Sequence, residues 1–189
     1  MRGIIAFSEY TWSGDKRSKK DIKAAYRQRE FSQTLADSSY AFIDILEKPV
    51  AFWKNALLQG DKRNYLQTME NALEEGVIDL PDPNNKGAWS EKYQERLAEA
   101  SQHIKTTDSI AEKIKAMKAK AVRNSYSLEV YEQVNNIADF APRTLLALKE
   151  YDNSANPTEK LESIKRLRDL QKEFETSRKT LESVYGKVR

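Results

Sequence analysis

The C-terminal half of the chain repeats apolar side chains every three or four residues over three long stretches. These run from about Ser90 to Val122, from about Ser127 to Tyr151, and from Pro157 onwards. Apolar residues at this spacing form one stripe along an α-helix, and such a stripe is buried against a neighbour. Short connections between long helices favour antiparallel neighbours. Residues 89–189 are therefore predicted to form an antiparallel three-helix bundle.

Each predicted helix has its own stripe of expected core residues. The first stripe contains Tyr93, Leu97, Ala100, Ile104, Ala111, Ile114 and Ala121. The second contains Leu128, Tyr131, Val134, Ile137, Ala138, Ala141, Leu145 and Leu148. The third contains Leu161, Ile164, Leu167, Leu170, Phe174, Leu181 and Val184.

Several residues modify this simple pattern. Pro142 lies inside the second helix, where it should kink the helix or remove one backbone hydrogen bond. Asn156 is the expected N-cap of the third helix. Phe140 and Leu146 lie outside the second stripe, so they indicate either a partner surface or contact with a neighbouring helix.

A second helical layer is predicted over residues 18–76. A long helix is expected from about Ser18 to Leu46, and Pro49 is placed in the first turn of the next helix, over residues 50–58. Residues 77–88 contain Pro81, Pro83 and turn residues, so no helix should continue through them. They are predicted to be a linker between the helical layer and the bundle at 89–189.

The composition agrees with an all-α protein of long helices. Of the 189 residues, 39% are hydrophobic and 32% are charged, with 6 Gly and 5 Pro. The absence of cysteine excludes disulfides, thiolate metal sites and a cysteine nucleophile. A net charge of +3 gives no argument for nucleic-acid binding, and no apolar run approaches the roughly 20 residues of a membrane span.

No side-chain pattern points to a catalytic or metal centre, and no cofactor is expected. His103 is the one histidine, and it is predicted to lie at the surface or at the boundary of the core. The adjacent carboxylates Glu74 and Glu75 sit before Gly76, which is typical of solvated charges at a helix end. The basic run between Lys16 and Arg29 is diluted by acidic residues and is interpreted as a solvated face.

The N-terminal segment differs from everything that follows it. Residues 3–14 are compact, apolar and aromatic, whereas the rest of the chain is charged and helical. Ala6, Glu9, Trp12 and Ser13 fall on the spacing A-x-x-E-x-x-W-S. This segment resembles one near the end of the catalytic barrel in family 20 glycoside hydrolases, the β-N-acetylhexosaminidases.

The residues after this segment extend the resemblance. Tyr26, Arg27 and Arg29 lie at a distance from Trp12 similar to that of the tyrosine and basic pattern in the final barrel helix of that family. The match covers about residues 3–36. The helices that follow are also similar to the helical extension after the barrel in some bacterial members.

The resemblance implies a β/α barrel whose Asp–Glu pair hydrolyses N-acetylhexosamine-containing glycans. In that family the Glu is the general acid, and the Asp orients the substrate acetamido group that attacks the anomeric carbon. The strand that carries this pair would precede residue 1, so no catalytic role is transferred to this chain. Glu9 and Trp12 match positions that are expected to be structural.

Residues 1–17 are accordingly interpreted as the remnant of a barrel, and the chain alone is expected to be inactive. Its implied partner is the missing catalytic barrel, and the implied location of the parent is periplasmic or cell-surface. Family 84 hexosaminidases also place a helical bundle after a barrel, so both parentages stay open.

A protein-interaction module is the alternative hypothesis. A free-standing helical bundle would bury residues 1–14 itself and leave an apolar groove open. If the segment is exposed, Ile4, Ile5 and Phe7 favour a homodimer. Binding of nucleic acid through the basic run is a third, minor hypothesis.

Overall fold

The computed structural model describes Ser18, Asp21, Ile22, Ala25, residues 42–58 and residues 77–186. The described residues contain five helices and no strand: α1 (Phe42–Asn55), α2 (Ala88–Lys92), α3 (Gln94–Lys118), α4 (Ser125–Asn153) and α5 (Pro157–Gly186). The predicted fold class is confirmed, because the protein is all-α, with a helical layer followed by an antiparallel bundle of three long helices. No helix in the described residues is both long and apolar enough to cross a membrane.

Helix α4 is the centre of the bundle. Helices α1 and α3 pack against one part of its surface, and α5 packs along another. The middle of α4 is buried around most of its circumference, at Ala138, Ala141, Pro142, Leu145, Ala147 and Leu148. A helix with buried residues on more than one face needs more than one neighbour. Helix α4 therefore packs against helices on two flanks, with α1 and α3 on one and α5 on the other.

The core between α1, α3 and α4 consists of two clusters. One cluster contains Phe42, Leu46, Ile110, Ile114, Met117 and Leu128. The other contains Phe52, Ala56, Ile78, Trp89, Leu97, Ala100, Ala141, Leu145 and Leu148. Both clusters combine residues of α1 with residues of the long helices. The described part of the helical layer thus shares its hydrophobic core with the bundle.

Helix α5 packs on α4 and has few contacts with α3. Its buried and half-buried side chains alternate at spacings of four and three, at Ser163, Leu167, Leu170, Phe174, Ser177, Leu181 and Val184. That is the heptad spacing of a coiled-coil seam. Leu161 and Ile164 were predicted to belong to this stripe, but they are 51% and 37% exposed because they lie off the seam.

The first bundle helix differs from its prediction at both ends. Tyr93, with φ −109° and ψ 22°, separates α2 from α3, and α3 ends at Lys118 instead of Val122. The bend brings Lys92 and Tyr93 onto the carboxylate of Asp79. Ala111 was placed in the core but is exposed, because the buried position on this turn belongs to Ile110.

Pro49 does not begin a new helix, contrary to the sequence prediction. It lies inside α1, which runs unbroken from Phe42 to Asn55. Pro49 is less than 2% exposed and shares the buried face with Leu46 and Phe52. A proline inside a helix removes one backbone hydrogen bond, and burial of this ring among the core side chains offsets that cost.

Two predicted helix starts and one internal proline agree with the structure. The hydroxyl of Ser18 accepts the backbone N–H of Asp21, as in a helix cap. The side-chain oxygen of Asn156 accepts the backbone N–H of Glu159 at 2.9 Å and so caps α5. Pro142 lies inside α4 and is buried.

The connection over residues 77–87 contains no helix, but it is packed against its neighbours. The N–H of Ile78 donates to the carbonyl of Leu57 at 2.9 Å. The indole N–H of Trp89 donates to the carbonyl of Asp79 at 2.6 Å. Gly87 precedes α2 with φ 84°, a left-handed conformation that favours glycine. These contacts fasten the connection to α1 and α2.

Asp152 joins the start of α2 to the end of α4. Its side chain is 2% exposed, and its Oδ2 accepts the backbone N–H of Ser90 at 2.8 Å. The carbonyl of Asp152 accepts the N–H of Gly87 at 3.3 Å. A carboxylate at a helix N-terminus satisfies an otherwise unpaired donor and is favoured by the helix dipole.

We expect Asp152→Ala to destabilise the protein by about 1–3 kcal/mol, because it leaves a buried N–H of α2 without its acceptor. Asp169→Ala is the matched control, since Asp169 is an exposed carboxylate with one exposed lysine partner. The control should change the free energy of unfolding by less than about 0.5 kcal/mol. Urea unfolding monitored by circular dichroism measures both, and equal effects would contradict this role of Asp152.

Candidate functional site

The residues that carry the glycosidase resemblance lie outside the described residues. This applies to Glu9 and Trp12, to the apolar set Ile4, Ile5 and Phe7, and to the basic pattern over residues 26–29. It applies equally to Glu74 and Glu75. The predictions for these residues stay predictions.

His103 lies at the boundary of the core. Its ring stacks on Phe52 of α1, with ring centroids 4.5 Å apart and planes at 26°. Its Nε2 is 3.6 Å from the carboxylate of Glu99, one turn earlier on α3. The side chain is 13% exposed. This environment makes His103 a packing residue between α1 and α3, with one carboxylate near its exposed edge.

A polar network crosses the interface between α3 and α4. The hydroxyl of Thr107 on α3 donates to Oδ1 of Asp139 on α4 at 2.6 Å. The side-chain amide of Asn135 donates to the carbonyl of Thr107 at 3.1 Å. Thr107 and Asn135 are 1% and 3% exposed. Because buried polar groups are costly when they are unpaired, this network favours one register of the two helices.

Arg143 connects this network to the surface. Its Nε donates to Oδ2 of Asp139, and its Nη2 donates to Oδ1 of Asp108 on α3. Burial lowers the pKa of the Arg143 guanidinium, but the hydrogen bond and charge of Asp139, together with Asp108, raise the pKa above its usual value. The side chain therefore stays positively charged and holds two carboxylates.

Asp139 is held as a hydrogen-bond acceptor by this arrangement. One of its oxygens binds the hydroxyl of Thr107, and the other binds Arg143. The contact with Thr107 crosses from α4 to α3, and the contact with Arg143 continues to Asp108 of α3. The network is therefore suited to holding these two helices together.

An open groove of about 500 Å³ follows the contact between α4 and α5. Arg143 and Asp139 line one side of it, and Glu173 and Phe174 line the other. The ring of Phe140 lies against Phe174, with centroids 4.7 Å apart. Polar and charged residues outnumber the apolar ones Phe140, Leu170 and Phe174 in the lining, and the groove is open to solvent, so it does not enclose a small ligand.

The two apolar residues outside the predicted stripe of α4 both contact other parts of the protein. Phe140 contacts α5 through Phe174, and Leu146 packs against the core cluster that contains Trp89. The sequence left two interpretations open, a partner surface and contact with a neighbouring helix. The structure supports contact with a neighbouring helix. Neither residue forms a separate apolar surface for a partner.

A second polar cluster lies where α1, α2 and the connection over residues 77–87 meet. Asp79 accepts hydrogen bonds from Lys92 and from the hydroxyl of Tyr93. The hydrogen bonds that Lys92 makes with Asp79 and Tyr93 raise the pKa of its ammonium group above the usual value. Arg96 donates to the carbonyls of Ala56 and Leu58 and so satisfies the C-terminal end of α1.

Residues 18, 21, 22, 25, 42–58 and 77–186 bring no metal-binding constellation together. Within them, no group of three or more histidine, aspartate or glutamate side chains is placed to hold a metal ion. Ion pairs and helix caps account for the polar clusters described above. The arrangement is that of a structural helical bundle.

Comparison with protein-family models, with curated proteins and with solved structures finds no match to this chain. The glycosidase resemblance therefore depends on the sequence motif alone.

Sequence reasoning missed the polar residues of the α3–α4 interface. Thr107 occupies a core position on α3 between Ala100 and Ile114, and Asn135 occupies one on α4. A polar residue in an otherwise apolar stripe is a signal that could have identified them, because such residues often fix the register of paired helices. Asp139 and Arg143 lie four residues apart on one face, which is the usual spacing of an ion pair.

We expect Arg143→Met to destabilise the protein by about 1.5–3 kcal/mol, because it removes hydrogen bonds to two carboxylates. Arg166→Met is a matched control on α5, where Arg166 pairs with Glu150 at an exposed site. Exposed pairs contribute about 0–1 kcal/mol. The free energy of unfolding in urea measures both variants. A cost for Arg143→Met no larger than that of the control would contradict a central role for this network.

Proposed function

We propose that this chain is the C-terminal helical accessory region of a β-N-acetylhexosaminidase-like glycoside hydrolase. The parent enzyme acts on N-acetylhexosamine-containing glycans, and the chain is not catalytic by itself. The observation that carries the proposal is the spacing of Ala6, Glu9, Trp12 and Ser13, followed by the basic pattern of residues 26–29. Their order along the chain matches the end of the family 20 catalytic barrel.

The described carboxylates are consistent with a supporting role. Asp139 accepts hydrogen bonds with both oxygens, and Asp152 caps α2 from the end of α4. A glycosidase of this family needs a carboxyl that gives its proton to the leaving group. In contrast, the buried acidic side chains of the bundle act as acceptors that fix helices in place. These carboxylates therefore support the packing of the bundle.

Helix α1 links the motif segment to the bundle in the chain. The segment with the barrel-end motif precedes α1, and α1 is part of the same core as α3 and α4. A helix that shares a core cannot move away without exposing that core. The proposed role of the bundle is to form a helical extension that follows the catalytic barrel in the chain.

The interaction-module alternative has weaker support. It needs an open apolar groove, whereas the open groove between α4 and α5 combines the apolar residues Phe140, Leu170 and Phe174 with a larger number of polar and charged ones. Glycosidase parentage is favoured because it also accounts for the unusual N-terminal segment.

We expect the purified chain to release no p-nitrophenol from p-nitrophenyl N-acetyl-β-glucosaminide, because the Asp–Glu pair of the family is not part of it. The Glu9→Gln variant controls for contamination, since Glu9 is the acidic residue of the matched motif. Turnover that follows the protein through purification and is lost in Glu9→Gln would contradict the proposal.

A second measurement tests the parentage itself. Sequencing of the coding DNA upstream of residue 1 should show, in frame, a β/α barrel with an Asp–Glu pair at the end of a strand. An in-frame stop codon immediately upstream would contradict the proposal and favour the interaction module.

A further inference from the structure

The segment around the turn between α3 and α4 is strongly basic. Residues 113–126 contain five basic side chains and no acidic one. Over the whole chain the net charge is only +3, so this short segment carries more than the entire excess. In the structure, Lys115, Lys120 and Arg123 are exposed around the turn.

Helix stability explains only part of this charge. Lys115 and Lys118 lie in the last turn of α3, where basic residues interact favourably with the helix dipole. Lys118 also pairs with Glu132 at 2.9 Å. Lys120 lies beyond the end of α3, where the dipole gives no comparable reason for it. Among the described residues, Lys115 and Lys120 pair with no carboxylate.

A highly exposed apolar side chain, Val122, lies within this basic turn. Val122 is 81% exposed, more than any other large hydrophobic residue that the structure describes. Tyr126, in the first turn of α4, is 43% exposed. Because α5 runs antiparallel to α4, its C-terminal end lies at the same end of the bundle, and Tyr185 there is 60% exposed. One end of the bundle thus presents basic and apolar groups together.

We propose that this end of the bundle, formed by Lys115, Lys120, Val122, Arg123, Tyr126 and Tyr185, docks on a membrane surface that contains anionic lipids. Basic side chains are attracted to the negative potential of such a surface. Tyrosine favours the headgroup region, where its ring is apolar on one side and its hydroxyl reaches water. Val122 enters the boundary between headgroups and acyl chains.

The composition of the surface favours lipid over nucleic acid. Proteins that hold single strands use a basic groove with stacking aromatic residues. Here the basic side chains surround a turn, and the most exposed apolar side chain is the aliphatic Val122, which offers no stacking face to a base. Tyr126 and Tyr185 do offer stacking faces, and the oligonucleotide measurement distinguishes the two ligands.

Sedimentation of the full chain with lipid vesicles tests the proposal. At low salt, the chain should bind phosphatidylcholine vesicles that contain about 30 mol% phosphatidylglycerol, and it should not bind pure phosphatidylcholine vesicles. Each basic side chain near such a surface strengthens binding about fivefold, so Lys115→Gln/Lys120→Gln should weaken binding about 25-fold. Val122→Ser should weaken it further, because the inserted apolar group is lost.

Matched variants at the opposite end of the bundle provide the controls. Lys149→Gln/Lys165→Gln removes the same charge from exposed positions near the loop between α4 and α5. Leu161→Ser removes an exposed aliphatic side chain of similar kind. Both controls should bind within about twofold of the unmodified chain. Circular dichroism checks that every variant keeps its helical content, because all of these positions are exposed.

Two results would overturn the proposal. The first is binding that does not depend on anionic lipid, or that falls equally in the Lys149→Gln/Lys165→Gln control. The second is tighter binding to a labelled single-stranded oligonucleotide at the same salt, lost in Lys115→Gln/Lys120→Gln, which would assign the surface to nucleic acid. Neither result depends on the glycosidase assay. The membrane-docking proposal and the glycosidase proposal are therefore tested independently.

Discussion

The burial of α4 is the constraint on which the rest of the structure depends. Between Ala138 and Leu148 no side chain of this helix is exposed and most are apolar, and exposing apolar side chains to water costs free energy. Helices α1 and α3 cover one part of this surface, and α5 covers another. The bundle can therefore be described as one central helix with neighbours on two flanks.

Polar contacts determine how these neighbours align. Hydrophobic burial alone permits one helix to shift slightly along its neighbour, because a different apolar residue can then fill the same contact. Such a shift would break the Thr107–Asp139 hydrogen bond and the Asp152 cap of α2. Breaking either contact costs free energy, because it leaves polar atoms inside the protein unpaired. The seam of α5 has no comparable polar anchor among its buried residues. Its register on α4 depends on the heptad spacing from Ser163 to Val184.

Much of the helical architecture could be predicted from the spacing of apolar residues, but specific exceptions could not. The limits of α4 and α5 and the cap at Asn156 follow from local signals in the sequence. The continuation of α1 through Pro49 does not, because it depends on burial of the proline ring by helices distant in the chain. Leu161 and Ile164 looked like core residues because both are apolar, although only the heptad seam is covered by α4.

The candidate site was harder to predict from the sequence than the fold. Glu9 and Trp12 were identified by a motif, but they lie outside the described residues. The residues that interact across α3 and α4 carried no known motif, since a threonine, an asparagine and an ion pair are ordinary on helices. Only the packing of two helices shows that Thr107, Asn135, Asp139 and Arg143 form one connected network. A network of this kind is difficult to recognise in a single sequence, because its residues are brought together only when the helices pack.

Because α4 is the central helix, the local stability of α5 can differ from that of the rest of the bundle. Because α5 packs on α4 and scarcely contacts α3, it can open while the core between α1, α3 and α4 remains intact. Amide hydrogen exchange measured by mass spectrometry or NMR tests this claim most directly. Amides near Leu145 should exchange only through global unfolding, whereas amides near Leu170 should exchange through an opening of lower free energy. Equal protection of the two helices, or earlier exchange in the middle of α4, would contradict the account.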